Sequence, residues 1–226
     1  MRGMVAGAMI LLSAASASAE DAGPAPASPA APPSPPAANM QEPAVGDHWT
    51  YRITDEISGS VTSTRTVVVT ELSKNEVTTR FDVTGTGRSG MIVYDRSWDV
   101  LSDDVFRYSP NDGTGVHLPL TAGAQWKFAV DSVNSNTGAT FKRTGTGRVT
   151  GKETITTKAG TFETFVVETA FTSRNVRNPA RSSEIVLKTW FSPDVDHWVR
   201  RNAVVRNGGH LVRNETVELV EFGRKK

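Results

Sequence analysis

Thr154-Ile155-Thr156-Thr157-Lys158-Ala159-Gly160-Thr161-Phe162-Glu163-Thr164-Phe165-Val166-Val167-Glu168-Thr169-Ala170-Phe171 decides the fold. It reads as an extended segment, a tight turn at Lys158-Ala159-Gly160, where Gly160 supplies the positive φ of a short hairpin, and a long second strand. In that strand Phe165, Val167, Thr169 and Phe171 share one face and Val166, Glu168 and Ala170 the other, the period of two that marks a sheet with one buried side. A second pair follows: Ile185-Val186-Leu187-Lys188-Thr189-Trp190-Phe191, the turn Ser192-Pro193-Asp194-Val195, and His197-Trp198-Val199-Arg200-Arg201. Pro193 presets the φ that the second position of a type I turn requires.

The same alternation recurs outward from this pair. Trp49, Tyr51 and Ile53 lie on one face against Thr50, Arg52 and Thr54, and Val77, Thr79, Phe81 and Val83 repeat it, as do Trp126, Phe128 and Val130. No window carries an apolar stripe at helical spacing. Turn chemistry separates the segments at Ser58-Gly59, Ser73-Lys74-Asn75, Pro110-Asn111-Asp112-Gly113, Asn134-Ser135-Asn136-Thr137-Gly138 and Asn207-Gly208-Gly209. The pattern predicts an all-β domain of about ten strands. One apolar face predicts a single curved, largely antiparallel sheet, a half-barrel or open barrel, since two flat sheets leave more edges to protect.

Of the 226 residues, residues 1–19 have the three parts of a cleavable signal peptide: Arg2, an apolar run through Leu12, and a small-residue ending at Ala17-Ser18-Ala19. Residues 20–43 hold eight of the chain's twelve prolines. They read as a disordered Pro/Ala-rich linker, able to hold a domain up to about 70 Å from its anchor at ~3.1 Å per residue. Residues 44–226 are one β domain. The predicted location is secreted or periplasmic, soluble after cleavage, with no transmembrane segment in the mature chain. With no cysteine, there is no disulfide, thiolate metal site or cysteine nucleophile, and the core alone must hold the domain together. Removal of Arg2 leaves 24 basic against 24 acidic residues, which argues against nucleic acid as a partner. Residues 174–226 are locally basic, and Arg174, Arg177 and Arg181 in one loop are a candidate contact for an anionic partner.

Val45-Gly46-Asp47-His48-Trp49-Thr50-Tyr51 is echoed by Ala122-Gly123-Ala124-Gln125-Trp126-Lys127-Phe128, a Gly bend delivering a strand whose Trp anchors the core, as in two similarly built halves. Val45-Gly46-x-x-Trp49-x-Tyr51, Leu118-Pro119-Leu120-x-x-Gly123-x-x-Trp126, Ala159-Gly160-Thr161-Phe162 and Trp190-Phe191-Ser192-Pro193 together resemble the signature of a family of exported bacterial domains of unknown function. The resemblance implies a periplasmic, curved antiparallel sheet akin to the half-barrels of lipoprotein carriers, and it carries over no catalytic residue.

Catalytic signatures are scarce. Gly85-Thr86-Gly87-Arg88-Ser89-Gly90 fits G-x-G-x-x-G, but the strand Met91-Ile92-Val93-Tyr94 follows where a dinucleotide site needs a helix. Gly151-Lys152 lacks both the first Gly, where Thr146 stands, and the Ser/Thr after Lys, where Glu153 stands. No nucleophile elbow or zinc-protease motif occurs. Asp47-His48-Trp49 and Asp196-His197-Trp198 repeat one tripeptide, and convergence of Asp47, His48, Asp196 and His197 would suit a divalent metal; but no local metal-ligand spacing supports it, turn preference of Asp and core preference of Trp account for the repeat better, and no metal site is predicted. No cofactor is predicted. The sequence therefore predicts a non-enzymatic domain binding an apolar, lipid-like ligand or an envelope component on a concave sheet, with Trp49, Tyr51, Phe81, Trp126, Phe128, Phe165 and Trp190 as candidate contacts. The alternatives are an adaptor binding another envelope protein, by strand addition or through the arginine loop, and a hydrolase of unrecognised type.

Overall fold

Consecutive strands pair antiparallel along the whole chain, and the last returns to the first. The computed structural model describes Met40 and residues 42–224; the signal peptide read at 1–19, most of the linker read at 20–43, and Lys225-Lys226 lie outside the described residues. The strands are β1 (His48–Asp55), β2 (Ser60–Leu72), β3 (Glu76–Val83), β4 (Arg88–Asp95), β5 (Val100–Ser102) and β6 (Phe106–Ser109). They continue as β7 (Gln125–Asn134), β8 (Thr140–Thr157), β9 (Gly160–Asn175), β10 (Ser182–Ser192), β11 (His197–Asn207) and β12 (His210–Gly223).

The sheet is closed, which corrects the expectation of a half-barrel or open barrel. Every residue of β1 is paired on both sides, His48 with Val68 and Gly223 at one end, Asp55 with Ser60 and Glu215 at the other. Closure removes the two edges an open sheet would have to protect. The ladder is thin at one seam, where β5 meets β6 only through Ser102 and Arg107. The Trp-bearing echo is real in three dimensions. The N–H of Gly46 donates to Val69 and Val69 donates to Asp47, and in the second half Gly123 donates to Val149 and Val149 donates to Ala124. Each Gly thus docks its strand on the next one in the same way, at φ 93° and 85°, and six strands follow in each half.

Eight strands make a barrel that side chains alone can fill, and twelve make a wider one. Two devices fill parts of the lumen, and a third part is left open. At the closed end Trp49, Tyr51, Trp98, Phe191, Val195, Trp198 and Leu219 pack together, each contributing about 1.5–3 kcal/mol of burial. Met40, inside the stretch read as linker, is fully buried in this cluster, and its N–H donates to the Asp194 carbonyl at 2.9 Å. In the middle, residues 111–116 enter the lumen between β6 and β7. Pro110-Asn111-Asp112-Gly113 therefore does not make the surface turn its composition suggests; residues 112–116 are all buried. The third part, at the other end, is open.

Carboxylates hold the plug. Asp99 accepts the Gly115 N–H at 2.6 Å, Asp112 accepts those of Val100 at 2.9 Å and Thr114 at 3.1 Å, and Arg201 of β11 donates to the Thr114 carbonyl at 3.1 Å. These bonds satisfy backbone that would otherwise be stranded in a dry interior. A Cβ at Gly115 would collide with the Ser97 carbonyl and the Asp99 nitrogen, backbone atoms that cannot turn aside. Gly115→Ala should cost about 1–3 kcal/mol, read as a loss of about 2–4 °C in Tm per kcal/mol, whereas Lys127→Ala on the outer face should leave Tm unchanged.

Candidate functional site

The open end is a pocket on the lumenal face of β1 to β4. Antiparallel register places Tyr51 opposite Arg65, Arg65 opposite Val83, and Val83 opposite Arg88, so these side chains share the inner face with Ile53, Phe81 and Ile92. Together with the β5–β6 turn they enclose about 390 Å³, at the small end of the roughly 300–1,000 Å³ of ligand pockets. Ile53, Phe81, Val83, Ile92 and Val105 make its walls. The plug fills the β6 to β11 side of the lumen, where Gly113 abuts Phe128 and Asp112 faces Arg143 at 3.9 Å, and leaves this side unfilled.

Arg65 sets the electrostatics. It shares a strand face with the buried Val67 and Val69, and its Nε is buried with no hydrogen-bond partner. Below it lie the hydroxyls of Tyr51, whose pKa burial raises well above the usual range, and Tyr94, pushed by burial up to about 12; both stay neutral. Asp103 and Asp104 line the same pocket and balance the formal charges of Arg65 and Arg88, but neither is paired with Arg65. Asp103 accepts the N–H groups of Val105 and Phe106 at 2.8 and 2.7 Å, and Asp104 accepts that of Met91 at 3.1 Å, which ties the β5–β6 turn to β4. Arg88 stands at the rim with its guanidinium 5.8 Å from the Phe81 ring. Arg65 itself is half-buried, and a buried guanidinium nitrogen without an acceptor is costly.

The seven aromatics picked from sequence do not form one surface. Phe81 lines the pocket. Trp49 and Tyr51 are fully buried in the closed end, Trp126 stacks on His117 at 4.3 Å, and Phe128 packs on Phe171. Phe165 sits under the Lys152 ammonium, while Trp190 is on the outer face between Lys188 and Arg200 and donates its Nε1–H to Glu153. Arg174, Arg177 and Arg181 are exposed at the open end. Sequence reasoning missed Arg65, Arg88 and Ile92; the one signal available was a charged residue at the parity of Val67 and Val69.

The repeated Asp-His-Trp tripeptides meet at the closed end, where they pack against each other. The imidazole of His197 lies among Trp49, Trp98 and Trp198, with ring centroids 4.5, 4.6 and 3.6 Å away. Tyr51 Oη is 2.5 Å from His197 Nδ1 and 3.0 Å from the Trp198 carbonyl. With the hydroxyl proton on that carbonyl, the imidazole donates from Nδ1 and Nε2 carries a bare lone pair. Burial holds the His197 pKa well below its usual value. Asp47 is clamped by Arg224 at 2.8 and 2.9 Å, and His48 turns away toward the Gly46 carbonyl and Gly223. Asp196 adopts φ 45° and is pushed up to about 7 by burial. Among the described residues no group of three or more metal-ligating side chains is gathered.

A wider groove of about 510 Å³ crosses the outer face of β7 to β10, but Arg148 and Glu168 on its lining neutralise one another at 2.6 Å. Its arginine is directly ion-paired, whereas Arg65 of the mouth pocket is not, and that difference singles out the mouth pocket.

No protein-family model matches the chain, and comparison with curated proteins finds no match. By structure the barrel is similar to a protein of Parabacteroides distasonis put forward as a lipoprotein, with a TM-score of 0.53 at 18% identity over 80% of this chain and 96% of that one. An exported protein with a YmcC-like fold from Bacteroides fragilis gives a TM-score of 0.50 at 14% identity, covering 80% and 97%. At these identities the likeness is one of fold alone.

Asp99 makes the site's scaffold pH-dependent. The residue is 1% exposed, and burial pushes its pKa up to about 7 although Gly115 donates to it. The unfolded value is about 3.9, so the stability Asp99 contributes is complete below that pH and is lost as pH rises through about 7. Tm should fall between pH 5 and pH 8, and Asp99→Asn should lessen the decline, with Asp196, likewise raised to about 7, supplying the remainder.

Proposed function

We propose that this chain is a non-enzymatic, exported barrel that holds an anionic amphiphile in its mouth. The observation that carries the reading is Arg65, a guanidinium set among aliphatic and aromatic walls with its Nε unpartnered. The carboxylate or phosphate of the ligand would meet Arg65, with Arg88 at the rim, and its alkyl body would lie along Ile53, Phe81, Val83 and Ile92.

Export is supported by the signal-like residues 1–19 and by the descriptions of the two structural neighbours, one put forward as a lipoprotein and one as exported. The chain has no cysteine, so a thioether-linked lipid of its own is not available. A binding role is favoured over hydrolysis by the placement of the histidines. His197 is buried among indoles, His117 lies on Trp126, and none of the grooves described above is lined by a histidine. Strand addition by an adaptor finds no open edge along a first strand paired on both sides.

Displacement of a dansyl-labelled fatty acid by dodecanoate tests the reading. Loss of a hydrogen bond to a charged group costs about 1.5–3 kcal/mol, so Arg65→Met should weaken dodecanoate binding by roughly 10- to 150-fold. Trp190→Ala should bind as the parent does. Equal affinity in Arg65→Met, or no displacement by dodecanoate, would overturn it.

A further inference from the structure

We infer that the open end of the barrel docks on an anionic lipid surface through two adjoining hairpin tips. Barrel order places β9, β10, β11 and β12 side by side, so the β9–β10 tip at residues 176–181 and the β11–β12 tip at 208–209 project together from the end where the mouth opens. Register confirms the shared level, with Ser183 opposite Asn207 and Asn207 opposite His210.

Segments 174–184 and 205–215 carry five arginines, Arg174, Arg177, Arg181, Arg206 and Arg213, against Glu184 and Glu215. Five minus two is an excess of three positive charges, on a chain whose total formal charge is +1. Glu215 is within 3.7 Å of Arg213, while Arg174, Arg177, Arg181 and Arg206 make no ion pair among the described residues and are exposed. Interleaved with them are Val176, Leu211 and Val212, between 45% and 51% exposed.

Aliphatic side chains at hairpin tips gain nothing from water, and arginines beside them gain little from one another. A surface with acyl boundary beneath phosphate suits both: the aliphatics enter, and the arginines remain at headgroup level. Charge complementarity selects an anionic lipid surface over a neutral one. Docked in this way, the barrel turns its mouth toward the lipid. The docking surface is independent of what the mouth holds, because Arg65 lies inside the lumen and none of the tip residues lines the pocket.

Sedimentation with unilamellar vesicles tests the inference, comparing phosphatidylcholine alone with phosphatidylcholine containing about one-third phosphatidylglycerol. The protein should sediment with the anionic vesicles at least tenfold more strongly. Binding should fall as salt rises from about 0.1 M to 1 M, where the screening length drops from about 10 to 3 Å. Arg174→Glu, Arg177→Glu and Arg181→Glu combined should reduce it at least tenfold. Leu211→Ser with Val212→Ser should reduce it several-fold while keeping the salt dependence. All five positions are exposed, and an unchanged Tm verifies folding; the charge-neutral set with Gln at the three arginines gives a second, intermediate reading. Arg65→Met should sediment as the parent does, so failure of the pocket reading and failure of docking are separable. No sedimentation, equal sedimentation with neutral vesicles, or an unaltered triple variant would overturn the inference. So would binding of a soluble polyanion such as heparin through the same arginines with no binding to vesicles.

Discussion

Closure of twelve strands into one ring is the constraint from which the rest follows. Once β12 pairs with β1, the lumen is wider than ordinary side chains can fill from the walls. Interiors pack densely because unfilled space forfeits contact energy on every lining atom. The chain meets this demand unevenly, with a wedge of indoles and aliphatics at one end, a hydrogen-bonded loop in the middle, and no filling under part of the rim. The candidate site is what remains after the other two devices have done their work. Its position is set by which side of the lumen the plug occupies.

The two ends differ in kind. At the closed end Trp49, His197, Trp98 and Trp198 contact one another face and edge, and the short turn at Pro193–Val195 receives the Trp49 indole N–H on the Val195 carbonyl at 3.1 Å. Trp98 itself is held at φ 61°, a conformation that a bulky residue adopts only where its surroundings dictate it. At the open end the wall thins to one residue pair between β5 and β6 and two between β4 and β5, and two aspartates spend their oxygens on backbone amides to keep the turn in place. Dense packing at one end thus stands against thin pairing at the other.

Hairpins and face parity were legible because both are local. Gly160, Pro193 and Asn207-Gly208-Gly209 write their turns into adjacent residues, and the inward set Phe165, Val167, Thr169 and Phe171 does face Phe191, Thr189, Leu187 and Ile185 across the β9–β10 ladder. Closure was not legible, since the pairing of His48 with Gly223 joins residues at opposite ends of the domain and leaves no local mark. Nor was the plug. Pro110-Asn111-Asp112-Gly113 has the composition of a surface turn, and only carboxylates from distant segments make it a buried one. Aromatic rings are poor markers of a site because size and apolarity mark core as readily as pocket. The informative residue was the anomalous one, an arginine in step with Val67 and Val69, and Arg143 and Arg201 are its counterparts on the plug side, stacked on Tyr108 at 4.5 Å and Trp198 at 4.0 Å. Arg143 has Asp112 at 3.9 Å and Tyr108 Oη at 3.3 Å, though its Nε is also unpartnered, and Arg201 donates to the Thr114 carbonyl. Arg65 is the one left facing open space.

The role proposed for Arg65 is to receive an anion. The measurement closest to it is the side-chain Nε–H resonance of Arg65, followed by nuclear magnetic resonance while dodecanoate is added. The account predicts a saturable shift of that signal with the Arg148 signal of the outer groove unmoved. Movement of Arg148 with Arg65 unchanged, or no movement of either, would contradict it.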